Sequence, residues 1–214
     1  MQRKATEKPG IVTDGLVLWL DGLDKGSVLN HWIDKVSSKD FTIYDSDIFE
    51  DSIYFKGTNT SYAAANAPIG NYTYEGATLE LVFKTRMFGV LFTQNARSSD
   101  HCFSVGPYGD NLVWANISRP VYKLPINYKK NVTVSIQADK AYANLSKMGK
   151  GGTDKWDTAH IPSKTVRLGN RNLNLPFSGH LYAVRYYNRQ LTEAEILQNQ
   201  QYDIDTYFGG VIPE

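Results

Sequence analysis

The sequence predicts an all-β fold, an antiparallel β-sandwich with one short helix near the C-terminus. Three observations carry this. Short runs rich in β-branched and aromatic residues recur along the chain, separated by turns rich in Gly and Asn. Several runs alternate apolar and polar residues with a period of two, as an antiparallel sheet does when one face meets a core and the other meets water. One stretch, after Leu191, carries convincing helix-start signals.

Taken in order, residues 1 to 13 read as a flexible arm and residues 14 to 214 as a single domain without internal repeats. Leu16 to Leu20 is the first strand. Asp21 to Gly26 is a turn-rich loop with two carboxylates, Asp21 and Asp24. Phe41 to Tyr44 and Ile53 to Phe55 are strands around an acidic loop, and Thr58 to Asn71 reads as loop. In Thr78 to Lys84, Leu79, Leu81 and Phe83 share one face; Thr78, Glu80 and Lys84 share the other, interrupted by Val82. Asn111 to Ile117 sets Val113, Ala115 and Ile117 against Trp114 and Asn116. Asn131 to Gln137 sets Val132, Val134 and Ile136 against Thr133, Ser135 and Gln137. Met148 to Asp157 is a Gly- and Lys-rich loop holding Trp156.

Leu181 to Tyr187 is the last strand, with Tyr182, Val184 and Tyr186 on one face by the period of two. Thr192 is placed to accept from an orphan N–H at a helix start, with Glu195 three residues on to complete a capping box. Leu191 and Ile196 can form a hydrophobic staple. Residues 198 to 214 read as a tail whose Tyr202, Tyr207 and Phe208 pack back on the sandwich.

Composition narrows the function. With 42% hydrophobic and 13% aromatic residues among 214, the chain can build a sizeable core. A net charge of +1 makes no field that would draw nucleic acid or anionic lipid, so neither is an expected partner. Cys102 is the single cysteine, which rules out an intrachain disulfide and reads as a small buried hydrophobe. No run of about 20 apolar residues is present to span a membrane, and the polar start lacks the apolar stretch of a secretion signal.

The segment Phe177 to Ile196, FSGHLYAVRYYNRQLTEAEI, resembles the C-terminal signature of laminin-G-like domains of the concanavalin A-like lectin/glucanase superfamily. Weaker similarities lie at Leu16 to Gly22, Trp32 to Asp34, Tyr54 to Gly57, Ala77 to Lys84 and Val166 to Gly169. The resemblance implies a jelly-roll sandwich. Free-standing copies that open on a strand like Gly15 to Gly22 resemble structural proteins of tailed bacteriophages. That implies a virion protein on a tail, baseplate, neck or head fibre, adhering to cell-surface polysaccharide among other virion proteins. A homo-oligomer is expected, with a trimer the first candidate.

Candidate site residues follow from chemistry. Aromatic rings stack on sugar faces and forked polar side chains grip hydroxyl pairs. Trp114 beside Asn116, with Glu80, Gln137 and Arg167, is expected to line a groove on the wet sheet face, rimmed by Tyr108 and Trp156. No cofactor is required. Calcium is an option through Asp21 and Asp24, or through Asp45 with Asp47, because a hard cation needs several oxygens. No Glu-x-Asp-x-Glu strand supplies the two carboxylates of a glucanase. The four histidines show no metal-ligand spacing, and Glu193 and Glu195 are explained by helix capping. The expectation is a binding protein rather than an enzyme. A purely structural assembly protein is the alternative, and a glycoside hydrolase is the weaker one.

Overall fold

The computed structural model describes residues 9–67, 76–87, 89–94, 103–108, 111–116, 119–125, 130–137, 140–148, 166–170 and 175–213. Trp156 and Cys102 lie outside them. Within them the chain forms β1 (Leu16–Asp21), β2 (His31–Ile33), β3 (Asp40–Tyr44), β4 (Asp47–Ile48), β5 (Ile53–Lys56), β6 (Tyr62–Ala65), β7 (Thr78–Met87) and β8 (Phe92–Gln94). Then come β9 (Phe103–Tyr108), β10 (Asn111–Asn116), β11 (Arg119–Pro125), β12 (Val132–Ile136), β13 (Ala141–Ala143), β14 (Ser146–Met148), β15 (Val166–Leu168), β16 (Ser178–Tyr187) and α1 (Glu193–Tyr207).

The strands form two antiparallel sheets. Sheet A runs β14-β13-β12-β7-β16-β5-β4, with β1 also pairing with β16; sheet B runs β11-β10-β9-β8-β15-β6-β3-β2. Leu18, Leu20, Phe55, Leu81, Phe83, Val134 and Val184 of sheet A meet Trp32, Phe41, Phe92, Val166 and Leu168 of sheet B in one apolar core. The predicted all-β sandwich is what forms, with a single helix among the described residues.

Long β16 organises sheet A. It pairs with β7 along its whole length, and with β5 and β1 in succession along the other edge. Its register on β7 steps from Leu181 opposite Phe83 to Ala183 opposite Val82, so Tyr182 is the extra residue of a bulge. Tyr182 and Ala183 therefore cluster with Val82 on the outer face, while Val184 and Tyr186 enter the core. This corrects the period-two reading that set Tyr182 beside Val184 and Tyr186.

Two glycines in the resembling segments have steric reasons. Gly169 sits at φ +79°, and a Cβ there would come within 2.5 Å of the Phe55 ring. Gly57 sits at φ +75°, with a Cβ position 2.9 Å from Ser178 Cβ.

Three further expectations are corrected. Residues 58–71 are not all loop: Tyr62–Ala65 is β6, inserted between β3 and β15. Alanine is a weak strand former, and here Ala63 and Ala65 fill the thin space opposite bulky core residues. Residues 198–214 are not all tail: the C-terminal helix runs 15 residues to Tyr207 and takes in most of that stretch. The arm is not free over its whole length, since Ile11 and Val12 pack on Leu16, Tyr187, Leu191 and Ile196. Asn199 Oδ1 accepts from Val12 N at 2.9 Å, and Tyr187 OH donates to Val12 O at 3.0 Å.

Candidate functional site

The outer face of sheet A carries the polar half of the predicted alternation, but around β7, β12 and β16 it is covered. Helix α1 starts as expected: Thr192 Oγ1 accepts from Glu195 N, and Glu195 Oε2 accepts from Thr192 N at 2.8 Å. Leu191 and Ile196 join one apolar cluster and seat the first turn. The helix then lays Asn199, Gln200 and Asp203 onto Thr133, Ser135, Glu80 and Arg185.

The contacts of these three residues are polar. Arg185 donates through Nε to Glu80 Oε2 at 2.8 Å and through Nη2 to Asp203 Oδ2 at 2.5 Å. Asn199 donates to Glu80 Oε2 at 3.0 Å, Ser135 to Glu80 Oε1 at 2.9 Å, and Thr133 to Asp203 Oδ2 at 2.8 Å. Gln137 donates to Thr78 Oγ1 at 2.9 Å and to the Leu191 carbonyl at 2.8 Å. Burial pushes the Glu80 and Asp203 carboxyls above the usual carboxylate range, against the pull of Arg185.

Glu80 and Gln137 are 1% and 2% exposed. This corrects their placement on an open groove, because the face that carries them is sealed by the helix.

Among the described residues, no helix covers the outer face of sheet B around β3, β6 and β15. Antiparallel register sets Tyr44 directly opposite Tyr62, and their rings stack at 4.6 Å between centres. The Arg167 guanidinium lies over the other side of the ladder, 4.3 Å from the centre of the Tyr62 ring. One pleat along, His31, Thr42, Ala64, Arg167 and Thr93 form a single cross-strand row. Thr42 and Ala64 are small, so the row is a shallow floor beside the two tyrosines. Tyr44 is 43% exposed, while Tyr62, Thr42, Ala64 and Arg167 are half-buried. At the end of the row, His31 Nδ1 contacts both oxygens of Asp40, at 2.7 and 2.8 Å.

The residues expected in one groove are thus divided. Glu80 and Gln137 belong to sheet A; Arg167 on β15, Trp114 and Asn116 on β10 and Tyr108 on β9 belong to sheet B. Three strand steps separate β10 from β15, and backbone register sets Trp114 in line with Val105 and Phe92, not with Thr93 and Arg167. Tyr44 and Tyr62 were missed. Their signal was there, as aromatics flanking an Asn- and Thr-rich stretch, but it needed β6 to be seen as a strand.

Both calcium candidates hold a lysine. Lys35 Nζ lies 3.0 Å from Asp21 Oδ2 and 3.3 Å from Asp24 Oδ2; Lys56 Nζ lies 3.1 Å from Asp45 Oδ1 and 3.2 Å from Asp47 Oδ1. Asp21 also accepts from Tyr207 OH at 2.7 Å and from Leu23 N at 3.0 Å. Burial pushes its carboxyl up, but Tyr207, the Leu23 N–H and Lys35 together hold it below the usual range. No cluster of three or more His, Cys, Asp or Glu with metal-binding geometry occurs among the described residues. No helix among them is long and apolar enough to cross a membrane.

No family model matches the sequence, and sequence comparison finds no curated relative. Solved structures do share the fold. Trypanosoma rangeli sialidase in complex with sialic acid superposes with a TM-score of 0.70 at 16% identity, over 92% of this chain and 34% of that one. This chain therefore spans about a third of the sialidase chains it resembles. Domain 4 of AbnA, a GH43 extracellular arabinanase from Geobacillus stearothermophilus in complex with arabinotriose, superposes with a TM-score of 0.61 at 15% identity, over 85% of this chain and 96% of that one. The HCR/D F1240A mutant superposes with a TM-score of 0.64 at 13% identity, over 86% of this chain and 50% of that one. At these identities the likeness is one of fold.

Proposed function

We propose that the protein is a non-catalytic carbohydrate-binding module, a laminin-G-like domain carried on the virion of a tailed bacteriophage and adhering to host cell-surface polysaccharide. The observation that carries the binding reading is the Tyr44–Tyr62–Arg167 ladder on a sheet face that no helix among the described residues covers. It offers an exposed ring for a sugar face beside a floor of small residues. The fold shared with a domain in complex with arabinotriose supports this. The virion setting rests on the resemblance of Phe177 to Ile196 and of the opening strand, and an oligomer belongs to that setting. The non-catalytic reading is supported by Glu80, whose carboxylate lies under α1 and pairs with Arg185. A module without a cofactor is supported by Lys35 and Lys56, which pair with the carboxylates that calcium would need.

The test is a glycan array and cell-wall pull-down with and without chelator. Binding that Tyr44→Ala weakens about tenfold, as loss of one stacking ring predicts, and that chelator leaves unchanged, supports the reading. A folded sample that binds no glycan and no wall refutes it.

One observation favours the assembly role as a second reading. Beyond the helix, the outer face of sheet A carries Phe49, 5.1 Å from His180, and Tyr54, 4.9 Å from His180. Phe49 is 49% exposed and adjoins exposed Ile48. An apolar strip of this kind suits a protein neighbour. Under that reading Phe49→Ser shifts the oligomeric state measured by light scattering and leaves glycan binding untouched.

A further inference from the structure

We infer that the glycan bound by the Tyr44–Tyr62–Arg167 ladder is anionic, and that Arg167 takes the charged group, a carboxylate or a phosphodiester carried on the sugar chain. This rests on the carbohydrate reading above and adds to it the charge of the ligand.

Lys35, Lys56, Arg185 and Arg189 each have a carboxylate oxygen within 3.3 Å. Arg167 has none among the described residues. The other members of its row are Thr93, Ala64, Thr42 and His31, and His31 is matched to Asp40.

Arg167 is also partly stripped of water. Tyr62 lies against the guanidinium, and Nη1 is buried with no hydrogen-bond partner among the described residues. A cation in that state gains more from an incoming anion than a fully hydrated one does, because less water has to be displaced and the local dielectric is lower.

Geometry favours an oxyanion over a neutral acceptor. A guanidinium presents its donors as a flat fork that matches two oxygens of a carboxylate or phosphate. Stacking on Tyr62, itself stacked on Tyr44, fixes the plane of that fork before the ligand arrives, which lowers the ordering cost of binding. Tyr44 on β3 and Arg167 on β15 lie two strand steps apart, roughly 10 Å. An oligosaccharide reaches both, with a sugar face on Tyr44 and its charged group at Arg167.

The experiment uses immobilised oligouronates, the same oligouronates after carboxyl reduction, neutral oligosaccharides, and a glycerol-phosphate polymer, with wild type, Arg167→Gln and Arg167→Lys. Thermal unfolding confirms that each variant is folded. The inference expects binding to the uronate or phosphate arm at least about tenfold tighter than to the reduced or neutral arms, the size of one charge-assisted contact. The winning arm identifies the charged group. Added NaCl erodes the preference, Arg167→Gln removes it, and Arg167→Lys keeps part of it. Equal binding to acidic and reduced glycans, or an acid preference that survives in Arg167→Gln, overturns the inference and leaves the carbohydrate reading standing. No binding in any arm overturns both.

Discussion

The two outer faces of the sandwich start from similar sequence cues and end differently. Both come from strands that alternate apolar with polar residues. On sheet A the polar row Thr133, Ser135, Glu80 and Arg185 is buried beneath α1; on sheet B the row Thr42, Ala64 and Arg167 with the Tyr44–Tyr62 pair stays at the surface. The difference lies in what is available to cover them. Helix α1 brings Asn199, Gln200 and Asp203, which hydrogen-bond to Glu80, Ser135 and Thr133 of sheet A. A polar strand face is therefore no proof of contact with water. It shows only that whatever covers the face must make hydrogen bonds.

Breaking the sealed face has the largest expected effect. Arg185→Ala leaves Glu80 and Asp203 buried without their counter-charge and costs about 3–5 kcal/mol in urea unfolding. Replacing all three by apolar residues, Arg185→Met with Glu80→Leu and Asp203→Leu, recovers most of that loss. If Arg185→Ala costs under about 1 kcal/mol, the cluster is no tighter than a surface ion pair and the contrast between the faces fails.

A middle-sized effect belongs to the helix start that brings the cover. Thr192→Ala removes the cap and costs about 1 kcal/mol. Its partner Glu195 is held down to about 2 by Arg189 and by the Thr192 N–H and hydroxyl. A carboxyl lowered in the folded state stabilises fully above its unfolded value of 4.5, and that contribution is lost as pH falls toward 2. Glu195→Gln therefore flattens the urea midpoint between pH 4.5 and 2, and NMR titration of the Glu195 carboxyl reads the same window directly.

The smallest effect sharpens the comparison from the open side. Tyr44→Ala, on an exposed ring, changes stability by less than about 1 kcal/mol while weakening glycan binding. A loss as large as that of Arg185→Ala would make the ladder a part of the core rather than a binding surface.

Much of the fold was legible. The strands around Thr78 and Asn131 were visible from period-two patterning, the strand around Leu181 from its β-branched and aromatic residues, and the cap at Thr192 from residue type and spacing. The β6 strand was hidden because its inward positions are alanines, and the reach of α1 because its docking face is polar. The bulge at Tyr182 was invisible because one extra residue changes no local propensity; only pairing against Val82 and Phe83 reveals it.

The sequence by itself determined that the chain builds an antiparallel sandwich closed by a capped helix, since periodicity and capping act within a few residues of each other. Tertiary structure decided which polar face stays open. That choice depends on where α1 lands, and it brings Tyr44, Tyr62 and Arg167 together from three strands that are more than 100 residues apart at the extremes. No short window of sequence carries a cross-strand register, so the ladder exists only once the sheet has formed.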